Sequence, residues 1–379
     1  SAPVAGLDGG GLVVVAEGGP LDATGAAPGV VTSTDAAPAP PDAGIGTGTM
    51  DASLADAATQ GVGFGLDAGM IVAPAEGGTP PGNLQPNPFG CKFGWGRDST
   101  GSPTSYGYLQ FLSTWIGSEV KADGTITTCN ACSWLSRLAG TNLVPVFYAY
   151  FIGFLGHANG LADGNQTPNT ANLTTGGGAL VKANRSKIVQ MYGWYAQQMA
   201  NALPNRPSIW LLEGDYVQYA ATSQSSPLTY PELGQLAADI TTAIKSQMPK
   251  AVVAIDHSTW NSDDVTRRFW GAMALANYDL VWTTGVGNNN GFLDGKETSA
   301  TYNATTATYA YLHTLTGRKI LVDESAGLSQ ASDTWSNQPA AIVNARIADG
   351  VIAANVTGAP ANYQADVAAL QPQLASTCP

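Results

Sequence analysis

The chain has 379 residues, of which 44% are hydrophobic and only 12% charged, with 28 Asp+Glu against 16 Lys+Arg and a formal net charge of −12. This balance excludes nucleic acid and anionic membrane surfaces as partners, because neutralising phosphates requires clustered Lys and Arg. The longest apolar stretch, Leu143–Leu155, is interrupted by Pro145 and Gly153 and is too short for a membrane span, so it reads as a buried strand.

In chain order, residues 1–84 are rich in Gly, Ala, Pro, Asp and Thr and almost devoid of aromatic residues. They read as a low-complexity tail or linker, with Leu12–Ala16 and Ala68–Ala73 able to add as strands to a sheet edge in cis or in trans. A homo-oligomer or filament built through that tail is one expectation. The opening Ser-Ala-Pro carries neither a basic nor an apolar leader region; either the protein is cytosolic or a signal peptide has been removed, and secretion is the expectation.

Residues 85–379 alternate short β-rich runs with helical periods, the pattern of a parallel TIM-like β/α barrel. Expected strands are Cys91–Trp95, Leu143–Phe151, Ser208–Leu212, Ala251–Asp256, Leu280–Thr284 and Lys319–Asp323. Expected helices are Ala179–Ala202, Tyr230–Met248, Asp263–Leu275, Thr305–Thr316 and Gln338–Ala354, with Gly176–Gly178 as a tight turn before the first.

Cys91, Cys129, Cys132 and Cys378 allow two disulfides in three connectivities, and a structural role is expected of them. Cys129 and Cys132 have the spacing of half a metal or redox site, but no second such pair completes it. The three histidines, His157, His257 and His313, are not at ligand spacing, and neither a Gly-x-Ser-x-Gly elbow nor a phosphate loop occurs, so no metal and no cofactor is expected. Asn-X-Ser/Thr triplets at Asn165, Asn172, Asn184, Asn303 and Asn355 permit glycosylation.

Acidic residues recur where strands end: Asp98 beside Arg97, Glu213 and Asp215, Asp256 before His257, and Asp323 with Glu324. Barrel active sites are built at those ends. Any one such carboxylate alone could equally cap a helix or pair with an arginine, but their recurrence in one chain favours chemistry. Aromatic side chains lie nearby, including Trp95, Tyr148, Tyr150, Trp210, Tyr216, Tyr219, Trp260, Trp282 and Trp335. Sugar rings stack on such groups, whereas core burial accounts for about half of them. Trp260, Tyr216, Trp95, Tyr148, Trp282 and Asp256 are the candidate substrate-binding residues.

The segment from Tyr192 to Asp215, with its Asn205-Arg-Pro turn and Ile209-Trp-Leu-Leu-Glu-Gly-Asp215, resembles the helix, turn and strand that lead into the Glu-Pro-Asp of family-6 glycoside hydrolases. Ala254-Ile-Asp-His-Ser-Thr-Trp260 resembles that family's Asp-Ala-Gly-His strand, and Leu321-Val-Asp323 the strand of its base. Gly214 stands where the family has proline, and Glu-Ser-Ala-Gly follows Asp323 where the family has Arg-Asn-Gly. The resemblance implies a distorted parallel barrel that cleaves a cellulose-like β-glucan, with Asp215 as general acid and Asp323 as base. A second scheme, that of retaining barrel glycosidases, would place the acid/base at Glu213 and the nucleophile at Glu324. The expectation is a secreted hydrolase of a neutral polysaccharide; the alternatives are a non-catalytic structural or carbohydrate-binding barrel assembled through its tail and, less favoured, a transglycosylase.

Overall fold

The computed structural model describes residues 87–98, 106–163, 171–221, 225–259, 261–283, 308–323, 335–356, 359 and 361–378. The tail of residues 1–84, Trp260 and Glu324 lie outside them.

Eight parallel strands close into a barrel in sequence order: β1 Gly94–Asp98, β2 Phe111–Ile116, β3 Val144–Ala149, β4 Ser208–Leu212, β5 Ala251–His257, β6 Leu280–Thr283, β7 Lys319–Asp323 and β8 Val351–Val356. β8 pairs with β1 through Gly94↔Ala353 and Arg97↔Val356, which leaves no sheet edge. This is the TIM-type β/α barrel that the alternating pattern predicts. Helices α1 Asn130–Ser136, α2 Phe151–Ala158, α3 Leu173–Ala202, α4 Tyr216–Ala220, α5 Tyr230–Gln247, α6 Asp263–Ala272, α7 Tyr309–Thr316, α8 Ala340–Ala348 and α9 Tyr363–Leu370 make up the rest of the described secondary structure, apart from short 3-10 turns.

Strand alternation divides the buried side chains into two layers. Val146, Ile209, Leu211, Val252, Ala254 and Leu321 are among those that fill the barrel interior. Trp95, Phe147, Trp210, Val253 and Ile255 face outward and pack with the helices. Phe111 enters the interior because Gly96 has no side chain: a Cβ there would lie 1.9 Å from the Phe111 ring.

Several elements differ from those expected. The first strand is displaced to Gly94–Asp98, and β2 was not foreseen at all. Leu143–Phe151 divides at Tyr150, where α2 begins. The expected helix Gln338–Ala354 is α8 followed by β8, separated at Asp349 and Gly350, the latter with φ of 100°. Gly176–Gly178 is not a turn but lies inside α3, whose first turn is closed by a capping box between Asn172 and Thr175. Glycine is required there by packing, since a Cβ on Gly177 would sit 2.3 Å from the Tyr219 carbonyl oxygen.

Two disulfides form, Cys91–Cys378 and Cys129–Cys132, and no described cysteine is free. The first spans 287 positions and clasps the segment before β1 to the segment after α9. A cross-link of such long span constrains the unfolded chain, so Cys378→Ser is expected to lower unfolding stability by roughly 2–5 kcal/mol, read from denaturant midpoints under non-reducing conditions.

Candidate active site at the barrel mouth

The C-terminal ends of the strands carry the polar interior positions. Tyr148 stands at the centre: its hydroxyl accepts a hydrogen bond from Asn355 Nδ2 at 2.7 Å and donates to the Asp323 carboxylate. Ser113 Oγ in turn donates to Asn355 Oδ1 at 3.0 Å. One hydrogen-bonded chain thus joins β2, β8, β3 and β7 across the inside of the barrel. Burial and the Asp323 charge hold the Tyr148 phenol well above its usual range, so it stays a proton donor. Asn355 is fully buried, which removes its Asn-X-Thr triplet from the glycosylation candidates of the folded protein.

The turn after β4 places Glu213 and Asp215 very differently. Both have positive φ, 36° and 60°, an uncommon conformation for residues with a side chain. Glu213 is 1% exposed, and its carboxyl turns toward the helix layer. There Oε1 accepts the Ile152 N–H at 2.7 Å, Oε2 the Gly153 N–H at 3.4 Å, and the Tyr192 hydroxyl lies 2.5 Å from Oε1. These contacts close the first turn of α2, as a capping side chain does. Burial raises the Glu213 carboxyl from 4.5 to about 8. The same Tyr192 hydroxyl is 2.9 Å from the Ala149 carbonyl, which can only accept. Tyr192 has one hydroxyl proton, and both Glu213 Oε1 and the Ala149 carbonyl oxygen lie within its reach as acceptors.

Asp215 is half-buried at the mouth. Its N–H donates to Asp256 Oδ2 at 3.1 Å, while its own Oδ1 accepts from Gln218 Nε2 at 3.0 Å and from Ser258 Oγ at 3.3 Å. Asp256, 2% exposed, also receives the Tyr216 N–H, and burial followed by the charge of Asp215 lifts its carboxyl well above the ordinary aspartate value. The two neighbouring carboxyls therefore differ in kind: one is sealed and holds the turn, and the other is presented to the mouth. Trp282 donates its indole N–H to the Leu212 carbonyl at 3.0 Å and packs on Tyr148 at 5.8 Å between ring centroids.

Trp95 is fully buried and faces the helices, because Gly94 and Gly96 occupy the inward positions of β1. Tyr216, 3% exposed, points away to donate to the Leu233 carbonyl at 2.9 Å. Neither reaches the mouth, contrary to expectation: alternation along β1 sends Trp95 to the outer layer, and the first turn of α4 carries Tyr216 toward α5. Trp210 and Trp335 are likewise core residues.

Three further groups surround the mouth, of which the sequence points to Tyr150, Tyr219 and Asp163 but not to Ser113 or Trp115. Asp163 accepts from the Tyr150 hydroxyl at 2.8 Å and lies 2.8 Å from His157 Nε2, with Tyr219 2.6 Å from Tyr150. Ser113 and Asn355 complete the Tyr148 network, and Trp115 stands exposed at the end of β2. All but Asp163, His157 and Tyr219 depend on strands β2, β3 and β8, two of which the sequence pattern does not reveal.

No protein-family model matches the chain, and no curated protein matches it. Solved structures share its architecture. The GH26-CBM35 β-(1,4)-mannanase of Podospora anserina has a TM-score of 0.46 and 10% identity, over 76% of this chain and 62% of that one. An endo-β-1,4-mannanase double mutant of Cellulomonas fimi gives 0.48 and 9%, over 76% and 72%. Xylanase 10B of Thermotoga maritima gives 0.43 and 11%, over 72% and 84%. The chain thus spans less than two thirds of the Podospora enzyme. No similarity assigns the chain to a family; the β/α barrel is read from its own closed strand order.

Among the described residues no group of His, Cys, Asp and Glu is arranged to hold a metal ion, and no helix is long and apolar enough to cross a membrane.

Two buried groups set opposite pH dependences. His257, beside Asp256 but facing outward toward Trp270, is lowered by burial from 6.5 to about 3. Its folded value lies below its unfolded one, so its contribution to stability is complete above pH 6.5 and is lost as pH falls toward 3. Glu213 is raised in the fold, so its contribution is complete below pH 4.5 and is lost as pH rises toward about 8. Urea midpoints measured against pH should show Glu213→Gln gaining on the parent from pH 4.5 to 8, and His257→Asn gaining on it as pH falls from 6.5 to 3.

Proposed function

We propose that the barrel mouth hydrolyses the glycosidic bonds of a neutral, β-linked polysaccharide of the glucan type, outside the cell, with Asp215 as general acid and Asp323 as base. The observation that carries this reading is the setting of Asp215: a half-buried carboxyl on a strained turn, fixed by Asp256, Gln218 and Ser258. A donor so held need not be reorganised when the leaving oxygen takes its proton. Asp323, at the end of β7 and gripped by Tyr148, supplies the second carboxylate from another strand of the same mouth. These are also the positions that the family-6 resemblance assigns to acid and base. The disulfides support an oxidising compartment.

The alternative scheme through Glu213 and Glu324 is set aside, because both Glu213 oxygens are engaged by the α2 backbone and the residue is sealed from substrate. An inverting course follows from the scheme retained. A second reading, a barrel that binds sugars without cleaving them and assembles through residues 1–84, draws on the low exposure of Asp256 and Asp323, 2% and 6%.

Reducing-sugar release from soluble β-glucan, xylan and mannan tests these readings. The parent should release sugar, and Asp215→Asn should lower the rate by about 10²-fold or more, the usual loss when a general acid is removed. Glu213→Gln should keep the rate at neutral pH, and the first product observed by NMR should carry the inverted anomeric configuration. No release from any of the three would exclude hydrolysis and favour the binding reading.

A further inference from the structure

Trp115 is an exception to the burial pattern of the barrel. Among the described residues it is the one large hydrophobic side chain that stands exposed, at 45%. It occupies the last part of β2, in parallel register with Tyr148 on β3, at the end of the barrel where the polar interior positions collect. One face of the indole is stacked on Tyr148, with centroids 4.9 Å apart and an interplanar angle of 19°, and the edge of Tyr150 meets it at 5.8 Å and 89°. The ring is therefore held on one side by two aromatic neighbours while much of its surface remains open to water. Immobilising a ring before a ligand arrives removes the ordering cost that a loose surface side chain would carry.

The ring that supports Trp115 also reaches the carboxylate network. The Tyr148 hydroxyl donates to Asp323 and accepts from Asn355, so the stacked pair is continuous with the polar floor of the mouth. Among the described residues, Asp98, Asp215 and Asp323 make the strand ends acidic, and Arg97 is paired with Asp98 at 3.8 Å. An anionic sugar would meet repulsion there. A neutral pyranose offers an apolar C–H face for the indole and hydroxyl donors for the carboxylates.

We infer that Trp115, braced by Tyr148, is the platform of a sugar-binding subsite that seats one pyranose ring of a neutral polysaccharide beside Asp323. The inference rests on the carbohydrate reading of the mouth, but not on hydrolysis taking place there. It assigns to β2 a substrate contact distinct from the carboxylates, and it excludes polyuronate chains as ligands of this subsite.

The test separates binding from cleavage. Calorimetric titration of the full chain with cellohexaose, mannohexaose, xylohexaose and a hexagalacturonate is run for the parent, Asp215→Asn, Trp115→Ala and Trp115→Phe, with melting curves showing that each variant is folded. At least one neutral hexasaccharide should bind the parent, with Asp215→Asn serving only to block turnover during the titration, while Trp115→Ala weakens binding about tenfold, the size of one aromatic stacking contact. Trp115→Phe should recover part of that loss, and hexagalacturonate should not bind. Where cleavage occurs, the Trp115→Ala loss should fall on KM rather than kcat. Binding that Trp115→Ala leaves unchanged overturns the platform even if sugar release continues. Binding lost with Trp115 in a protein that cleaves nothing upholds the platform and removes only the hydrolase reading. Absence of binding by any neutral hexasaccharide, or tighter binding of hexagalacturonate, overturns the inference outright.

Discussion

The hydrogen-bonded chain from Ser113 through Asn355 and Tyr148 to Asp323 is the interaction on which the mouth depends. Below it the barrel interior is filled by aliphatic side chains that have no polar demands. At its level β2, β8, β3 and β7 contribute polar side chains that pair with one another, because an unpaired donor or acceptor there would cost about 1–3 kcal/mol. Each member comes from a different strand, so the network ties β2, β8, β3 and β7 together across the interior.

A similar economy governs the turn after β4. Three residues, Glu213, Gly214 and Asp215, reverse the chain using two unfavourable φ values. Two buried carboxyls hold that turn from either side: Glu213 anchors itself to the start of α2, and Asp256 reaches from β5 to the Asp215 N–H. The acidic residues that a sequence reading groups together as catalysts thus divide into holders and a presented group. Buried carboxyls with raised pKa values are often sought as proton donors. Here Glu213 and Asp256, both raised by burial, hold the turn that carries Asp215.

The sequence made the barrel legible through β3 to β7, where continuous runs such as Ala251-Val-Val-Ala-Ile-Asp256 leave no competing assignment. β2 was hidden because Phe111-Leu-Ser-Thr-Trp-Ile116 mixes polar and apolar residues, and its polar positions make sense only as members of the mouth. β8 was hidden because Ala340 to Val356 is apolar and alanine-rich throughout, so its helix and strand merge into one period; the Asp349-Gly350 step was the available signal. The same limit governed the site. Asp215, Asp256 and Asp323 are singled out by their place after apolar runs, whereas the facing of Trp95, Tyr216 and Glu213 requires knowing the phase of each strand and the strained path of the turn. Trp115 could be found only after β2 was, from the alternation Phe111, Ser113, Trp115.

The Cys91–Cys378 bond brings two ends of the described barrel to a Cα separation of 4.9 Å. Combined with β8 pairing to β1, this makes the domain nearly a ring in covalent connectivity as well as in strand order. Such a molecule has no privileged starting point: a short peptide joining residues 91 and 378, with new ends opened in a loop on the face opposite the mouth, would preserve every strand neighbour. Circular permutants of this barrel would then separate what the order of elements along the chain contributes to reaching the fold from what the finished sheet contributes to holding it.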